Sequence, residues 1–317
     1  MADIVVLNHG VHGIPAAECV DALRERVDDR SVTLAESAAA ERELVPDAEV
    51  IVGSDLDADL LELADDLRLF ACTSAGTDRL DMDAFRERGV AVTSASGVHG
   101  PNIAEHVIGT ILMITRRLDE GLRRQERAEW RHFQAFGELQ GSRICVVGLG
   151  AIGTAVVERL EGFGVETVGV RYTPEKGGPT DEVYGFDELL EAFVGVDYVV
   201  VACPLTETTQ GLIGGDELAA LPVDAVLVNI ARGPVVDTDA LVTALRKNDL
   251  HAAALDVTDP EPLPADHPLW SLGNAYVTSH VSGYTPRYLE RVADILSRNL
   301  DRVDETGSYA DLENRVD

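Results

Sequence analysis

Three glycines set between an apolar run and a helical pattern constrain this chain most. Ile144–Val147 is short, apolar and rich in β-branched residues, as a strand buried on both faces requires. Gly148, Gly150 and Gly153 follow with the spacing G-x-G-x-x-G. Ala151 and Ile152 then open a helical pattern that continues through Val156, Val157, Leu160 and Phe163, and Gly164 is placed to cap it. Val165–Val170 reads as a second strand. Each glycine has its own reason: Gly148 permits a tight turn, Gly150 lets a phosphate approach the backbone, and Gly153 lets helix and strand pack closely. Free N–H groups at the helix start favour anions. The chain holds 28 glycines, so the bare pattern says little. Between a buried strand and an amphipathic helix it reads as the phosphate-binding turn of a dinucleotide site.

The end of the second strand bears on which dinucleotide. A carboxylate about 20 residues into such a unit binds the ribose 2′-hydroxyl of NAD. Here that position holds Arg171, followed by Tyr172 and Thr173, with Lys176 nearby; Glu175 lies beyond Pro174. A guanidinium pairs with a 2′-phosphate that a carboxylate repels. The expected cofactor is therefore NADP(H), with NAD(H) a possible substitute.

At 317 residues the chain suits two domains. Asp and Glu number 56 against 26 Lys and Arg, and Lys176 and Lys247 are the two lysines. A net charge of −30 opposes binding to nucleic acid. Molar salt shrinks the screening length to about 3 Å and relieves that self-repulsion, so the composition points to a halophilic protein like those of salt-accumulating archaea. Cys19, Cys72, Cys145 and Cys203 lack the spacing of a disulfide framework or a metal site. No apolar run is long enough to span a bilayer, and no leader pattern precedes the first strand. The expectation is a cytoplasmic protein with neither membrane nor nucleic-acid partner.

Strands are expected at Ile4–Leu7, Val32–Ala35, Val50–Val52, Leu69–Cys72 and Val90–Thr93, with helices at 15–27, 58–64 and 83–88. This alternation implies a parallel sheet with helices on both faces. Ser74–Asp78 follows the fourth strand, where Gly76 either offers N–H groups to an anion or makes an ordinary turn. Gly100-Pro101-Asn102 marks a boundary before a helix from about Ile103 to Leu118, striped by Ala104, Val107, Ile108, Ile111, Leu112 and Thr115. Trp130 and Phe133 read as core aromatics. Further strands at 198–202, 226–230, 252–257 and 276–278 end in polar segments. Ligands of parallel sheets bind beyond such carboxyl ends, which gives Arg232, Glu261 and His280 priority.

These segments carry a resemblance. The glycine turn, Cys203-Pro204-Leu205-Thr206-Glu207-Thr208-Thr209, Val228-Asn229-Ile230-Ala231-Arg232-Gly233, Asp256 through Glu261-Pro262-Leu263, and Ser279-His280 with Gly283 resemble the D-2-hydroxyacid dehydrogenases over essentially the whole chain. The resemblance implies reversible reduction of a 2-oxo acid by a nicotinamide cofactor. Arg232 would hold the substrate carboxylate and polarise the ketone. His280 would exchange the proton, an imidazole having an unperturbed pKa of about 6.5, and Glu261 would orient it. Backbone N–H groups of Ala75 and Gly76 would also grip the substrate carboxylate. Cys203, Pro204, Thr209, Ile230, Ala231, Asp256, His280 and Gly283 join the glycine turn and Arg171–Thr173 as cofactor contacts. Metal ligands are not implied.

The architecture so implied is α/β, with two Rossmann-like, doubly wound, parallel-sheet domains and an interdomain cleft. Residues 1–99 with 284–317 form the substrate-binding domain and residues 100–283 the dinucleotide-binding domain. Crossings near Gly100 and Gly283 would act as hinges, and the long helix suggests a homodimer. A side-chain pocket would draw on Gly53–Leu56, Val98, His99 and Tyr284. The chain stops soon after its last helix, which weighs against the longer phosphoglycerate dehydrogenases. Two other readings are a glyoxylate or hydroxypyruvate reductase and a non-catalytic dinucleotide sensor resembling a corepressor of this fold.

Overall fold

The computed structural model describes residues 3–27, 29–77, 79–132 and 136–316. It divides into two compact units, residues 1–99 with 284–317 and residues 100–283. Strands run in chain order as β1 Ile4–Leu7, β2 Val32–Ala35, β3 Val50–Gly53, β4 Leu69–Cys72, β5 Ala91–Thr93, β6 Arg143–Val147, β7 Glu166–Val170, β8 Glu182–Tyr184, β9 Tyr198–Val201, β10 Val226–Asn229, β11 Ala252–Leu255, β12 Ala275–Val277 and β13 Arg315–Val316.

The first unit holds a six-stranded sheet ordered β13-β5-β4-β3-β1-β2. It is parallel except for β13, which pairs antiparallel with β5. Strand order reverses between β1 and β3, which makes a topological switch point of the flavodoxin kind rather than the order of a dinucleotide-binding sheet. Alternate residues face opposite layers. Ile4, Val6, Val50 and Val52 pack on the helices Ala16–Arg24 and Tyr288–Thr306, while Val5, Leu7, Ile51 and Phe70 pack on the other side. The Tyr288 hydroxyl donates to the carbonyl of Thr73 at 2.6 Å and so ties the last helix to the loop after β4.

The second unit holds seven parallel strands, β12-β11-β10-β9-β6-β7-β8. Its switch point lies between β6 and β9, as in a doubly wound dinucleotide-binding sheet. Ile144, Cys145, Val146 and Val147 of β6 are fully buried. Cys145 and Val147 face one apolar layer and Ile144 and Val146 the other. Two-sided burial accounts for the unbroken apolar run in sequence, and each such side chain contributes about 1.5–3 kcal/mol.

Several sequence expectations shift. The boundary helix starts at Gly100, with Pro101 in its first turn where a missing N–H costs nothing. It ends at Thr115, because Arg117 takes a left-handed backbone (φ 53°) before a separate helix, Leu118–Glu126. Trp130 is fully exposed rather than in the core; Phe133 and Asp78 lie outside the described residues. Among the described residues, no helix is long and apolar enough to cross a membrane.

Candidate active site

The three glycines have three different surroundings. A Cβ on Gly148, whose φ is +105°, would lie 2.5 Å from the backbone nitrogen of Cys203 at the end of β9. A Cβ on Gly153 would overlap the carbonyl of Gly148. At Gly150, the N-cap of helix Ala151–Leu160, a Cβ would meet nothing within 4 Å. The crowded glycines press strand, turn and helix together, and the open one leaves room against backbone N–H groups at the helix start. That open cradle fits a dinucleotide pyrophosphate.

Beside it lies a cavity of about 570 Å³. Among the expected cofactor residues, Gly148, Gly150, Arg171, Tyr172, Thr173, Cys203, Pro204 and Thr209 line it. Thr206 and Thr208, from the Cys203–Thr209 run, line it too, as do Leu149 and Phe186, which the sequence did not single out for the site. Arg171 and Lys176 are its charged lining residues, and no carboxylate joins them. The Arg171 Nη1 donates to the carbonyl of Gly177 at 2.5 Å, which holds the side chain at the cavity's edge. The loop after β9 is braced internally: the Thr209 hydroxyl donates to Pro204 O at 2.6 Å and accepts from the Thr206 N–H at 2.8 Å. Burial pushes the Cys203 thiol up to about 11, so it packs as a neutral side chain. Ala151 and Ile152 form the first helical turn.

The ends of β10, β11 and β12 build a second group. Asn229, buried at the end of β10, donates from Nδ2 to Arg232 O (3.1 Å) and accepts from the Ala231 N–H (3.0 Å), which fixes the turn between them. A buried amide closing an apolar strand was the available signal for this role. A Cβ on Gly233 would overlap the carbonyl of Thr258, so the Arg232–Gly233 turn sits directly against the loop after β11. There the Thr258 N–H donates to Oε1 of Glu261 at 3.1 Å, and Oε2 of Glu261 lies 3.1 Å from Nδ1 of His280. Both partners are about half exposed.

His280 has a left-handed backbone (φ 54°), uncommon for a side chain of its size. Asp256 holds it there. Its carbonyl accepts from the His280 N–H at 2.8 Å. Its carboxylate accepts from the Thr278 hydroxyl (2.6 Å) and from the N–H groups of Val281 (3.0 Å) and Ser282 (2.9 Å). Burial alone would push the Asp256 carboxyl up, but these donors outweigh it and hold it below the usual carboxylate range. Ile230, Asp256 and Thr278 line a groove of about 410 Å³, while Ala231 is buried in its turn and Gly283 ends the unit.

Arg232 and the candidate residues of the first unit have their own surroundings. The Arg232 Nη1 donates to Ala231 O at 2.7 Å, so the guanidinium turns back on its own loop while its backbone is pinned beside Thr258. Ala75 and Gly76 are exposed after β4 in the first unit. In that unit Val98 and Leu56 are buried, Ser54 lines a cavity, and Tyr284 stacks on the His12 ring, with His99 tilted against it.

A doubly wound sheet with an open glycine cradle and an imidazole–carboxylate pair at its strand ends defines the class of dinucleotide-dependent oxidoreductases. Residues 108–282 match the family model described as D-isomer specific 2-hydroxyacid dehydrogenase, NAD binding domain. The chain is 37% identical to a glyoxylate reductase of Thermofilum pendens, over 77% of this chain and 74% of that one. Two similar solved structures are an NADPH-dependent glyoxylate/hydroxypyruvate reductase from Sinorhizobium meliloti (TM-score 0.74, 26% identity, 99% of this chain and 97% of that one) and an NAD-dependent formate dehydrogenase from Staphylococcus aureus in complex with NAD (TM-score 0.66, 27% identity, 99% and 98%). The chain belongs to the D-isomer specific 2-hydroxyacid dehydrogenase family and is an oxidoreductase of 2-oxo and 2-hydroxy acids.

Proposed function

We propose that this protein is an NADP(H)-preferring 2-oxo acid reductase in which His280 exchanges the proton. The contact between Nδ1 of His280 and Glu261 carries the reading, because it leaves Nε2 as the proton-exchanging atom. Glu261 orients the ring and stabilises its protonated form, and Asp256 fixes the backbone beneath it. Arg232, free to swing from the Ala231 carbonyl, pairs with the substrate carboxylate and polarises the ketone. Within the first unit, the N–H groups of Ala75 and Gly76, exposed after β4, are assigned to binding a carboxylate. A bound nicotinamide supplies the hydride. Ala151, Ile152 and the glycine turn hold its pyrophosphate, while Ile230, Ala231 and Gly283 contact the nicotinamide half.

The cofactor preference rests on the cavity's Arg171 and Lys176 without a carboxylate, in a chain with only two lysines. Residues 1–99 with 284–317 serve the substrate and residues 100–283 the dinucleotide. Glyoxylate and hydroxypyruvate are first candidates, from the printed activities of the relatives. The acid-rich composition and four buried free cysteines support a halophilic, cytoplasmic enzyme. Exposed Leu118, Leu122 and Trp130 support a homodimer.

The test is NADPH oxidation against a panel of 2-oxo acids at high salt. Turnover with at least one acid and a lower KM for NADPH than for NADH is expected. Dinucleotide binding without turnover of any acid would favour a non-catalytic sensor.

A further inference from the structure

The loop between β7 and β8 holds a glycine pair, Gly177-Gly178, directly after the 3₁₀ turn Pro174–Lys176. That turn brings Lys176 to the cavity beside the glycine cradle, and Arg171 at the end of β7 rests on the loop's backbone.

The two glycines answer different constraints. Gly177 has φ 62° and ψ −160°, a backbone almost confined to glycine, although a Cβ there would meet nothing within 4 Å. Its N–H donates back to Pro174 O at 2.9 Å, and its ψ aims the carbonyl that accepts from Arg171 Nη1. At Gly178 the φ is not positive, and the constraint is space. A Cβ there would lie 2.5 Å from Cδ1 of Leu149. A Cβ on Gly169 of β7 would lie at the same 2.5 Å from the same atom.

Leu149 sits between Gly148 and Gly150, is buried, and packs in the apolar layer with Val146 and Val156. Its tip therefore fills the room that two missing side chains leave, one on the strand and one in the loop. The far end of the loop is anchored as well. The Asp181 carboxylate accepts from the Thr167 N–H (2.8 Å) and hydroxyl (3.1 Å), and the Thr180 hydroxyl donates to Glu182 O at 2.8 Å.

Arg171 uses one N–H group on Gly177 O, and the rest of its fork stays available to an anion. Lys176 is exposed and lines the same cavity. We propose that Gly177 and Gly178, pinned through Leu149, are positioning residues for a cofactor's 2′-phosphate. They hold Arg171 and Lys176 as a preset pair of cations, and a site fixed before its ligand arrives loses less freedom on binding. The proposal rests on the NADP(H) reading and deepens it, since none of the three residues supplies the charge itself.

Two nucleotide fragments provide the test without turnover: 2′,5′-ADP carries the 2′-phosphate and 5′-AMP lacks it. Dissociation constants for both are measured by calorimetry on the full chain at one fixed KCl concentration, with Tm recorded for each variant. The wild type should bind 2′,5′-ADP more tightly. Gly177→Ala and Gly178→Ala should each cut that preference roughly tenfold while 5′-AMP binds within a few-fold of wild type. Adding Leu149→Ala to Gly178→Ala opens room for the new methyl group and should restore part of the preference.

An unchanged preference in either glycine variant would overturn the proposal, and so would an equal loss on both nucleotides, the mark of a merely structural role. A double variant no better than Gly178→Ala would overturn the part given to Leu149. In each of these cases a wild-type preference for 2′,5′-ADP leaves the NADP(H) reading standing. Equal binding of the two fragments by the wild type would overturn that reading and the proposal with it.

Discussion

Gly233 has its α-carbon packed against the carbonyl of Thr258 so closely that a methyl group there would overlap it. This joins two turns that the sequence separates by about two dozen residues, one carrying Arg232 and the other presenting its N–H to Glu261. The relative position of a cation and of the carboxylate beside His280 therefore depends on one missing side chain.

Substituting Gly233→Ala should separate these turns. Overpacking of this kind costs about 1–3 kcal/mol. We expect a lower Tm in thermal unfolding together with at least a tenfold loss of kcat/KM, because the turn carrying Arg232 would shift against the loop that leads to Glu261. Activity equal to wild type would show that the two turns need not be in register.

Asp256 makes a pH-dependent prediction. Its carboxyl is held below its ordinary value by Thr278, Val281 and Ser282. A depressed folded pKa contributes stability that is full above the unfolded value of about 3.9 and is lost as pH falls through the folded value. Asp256→Asn should therefore destabilise the protein at neutral pH and flatten the acid limb of its stability curve below about pH 4. Equal acid sensitivity in urea titrations of both proteins would contradict this.

Arg171→Asp should move cofactor preference toward NADH by roughly tenfold or more in the ratio of kcat/KM values, since a carboxylate repels a 2′-phosphate and accepts a ribose hydroxyl. An unchanged ratio would mean that the cavity's cations do not meet the adenosine ribose.

Self-repulsion of 56 carboxylates against 26 cations should make stability depend on salt. Raising KCl from 0.1 M to 2 M should raise Tm by about 5 °C or more. A Tm independent of salt would remove the case for a halophilic protein.

Much of the fold was legible because its signals are local. Buried parallel strands read as unbroken apolar runs, and the glycine turn announces itself between strand and helix. Elements with weaker signals escaped. The edge strands Glu182–Tyr184 and Arg315–Val316 are polar and short, and the helix Ala38–Leu44 buries little of its own surface. The break at Arg117 comes from a left-handed residue in a segment whose apolar stripe gives no warning. Trp130 is fully exposed although large aromatics are on average highly buried. At the candidate site, the strand-end positions of Glu261 and His280 could be read from sequence. The clamp by Asp256 and the contact of Gly233 with Thr258 depend on backbone positions set by tertiary packing.

The most direct measurement is on His280→Ala, in steady-state NADPH oxidation with the best 2-oxo acid and in NADPH titration by fluorescence. Turnover should fall by about 100-fold or more, the scale of a lost general acid, while the dinucleotide still binds with a Kd within a few-fold of wild type. Turnover close to wild type in that variant would contradict the account.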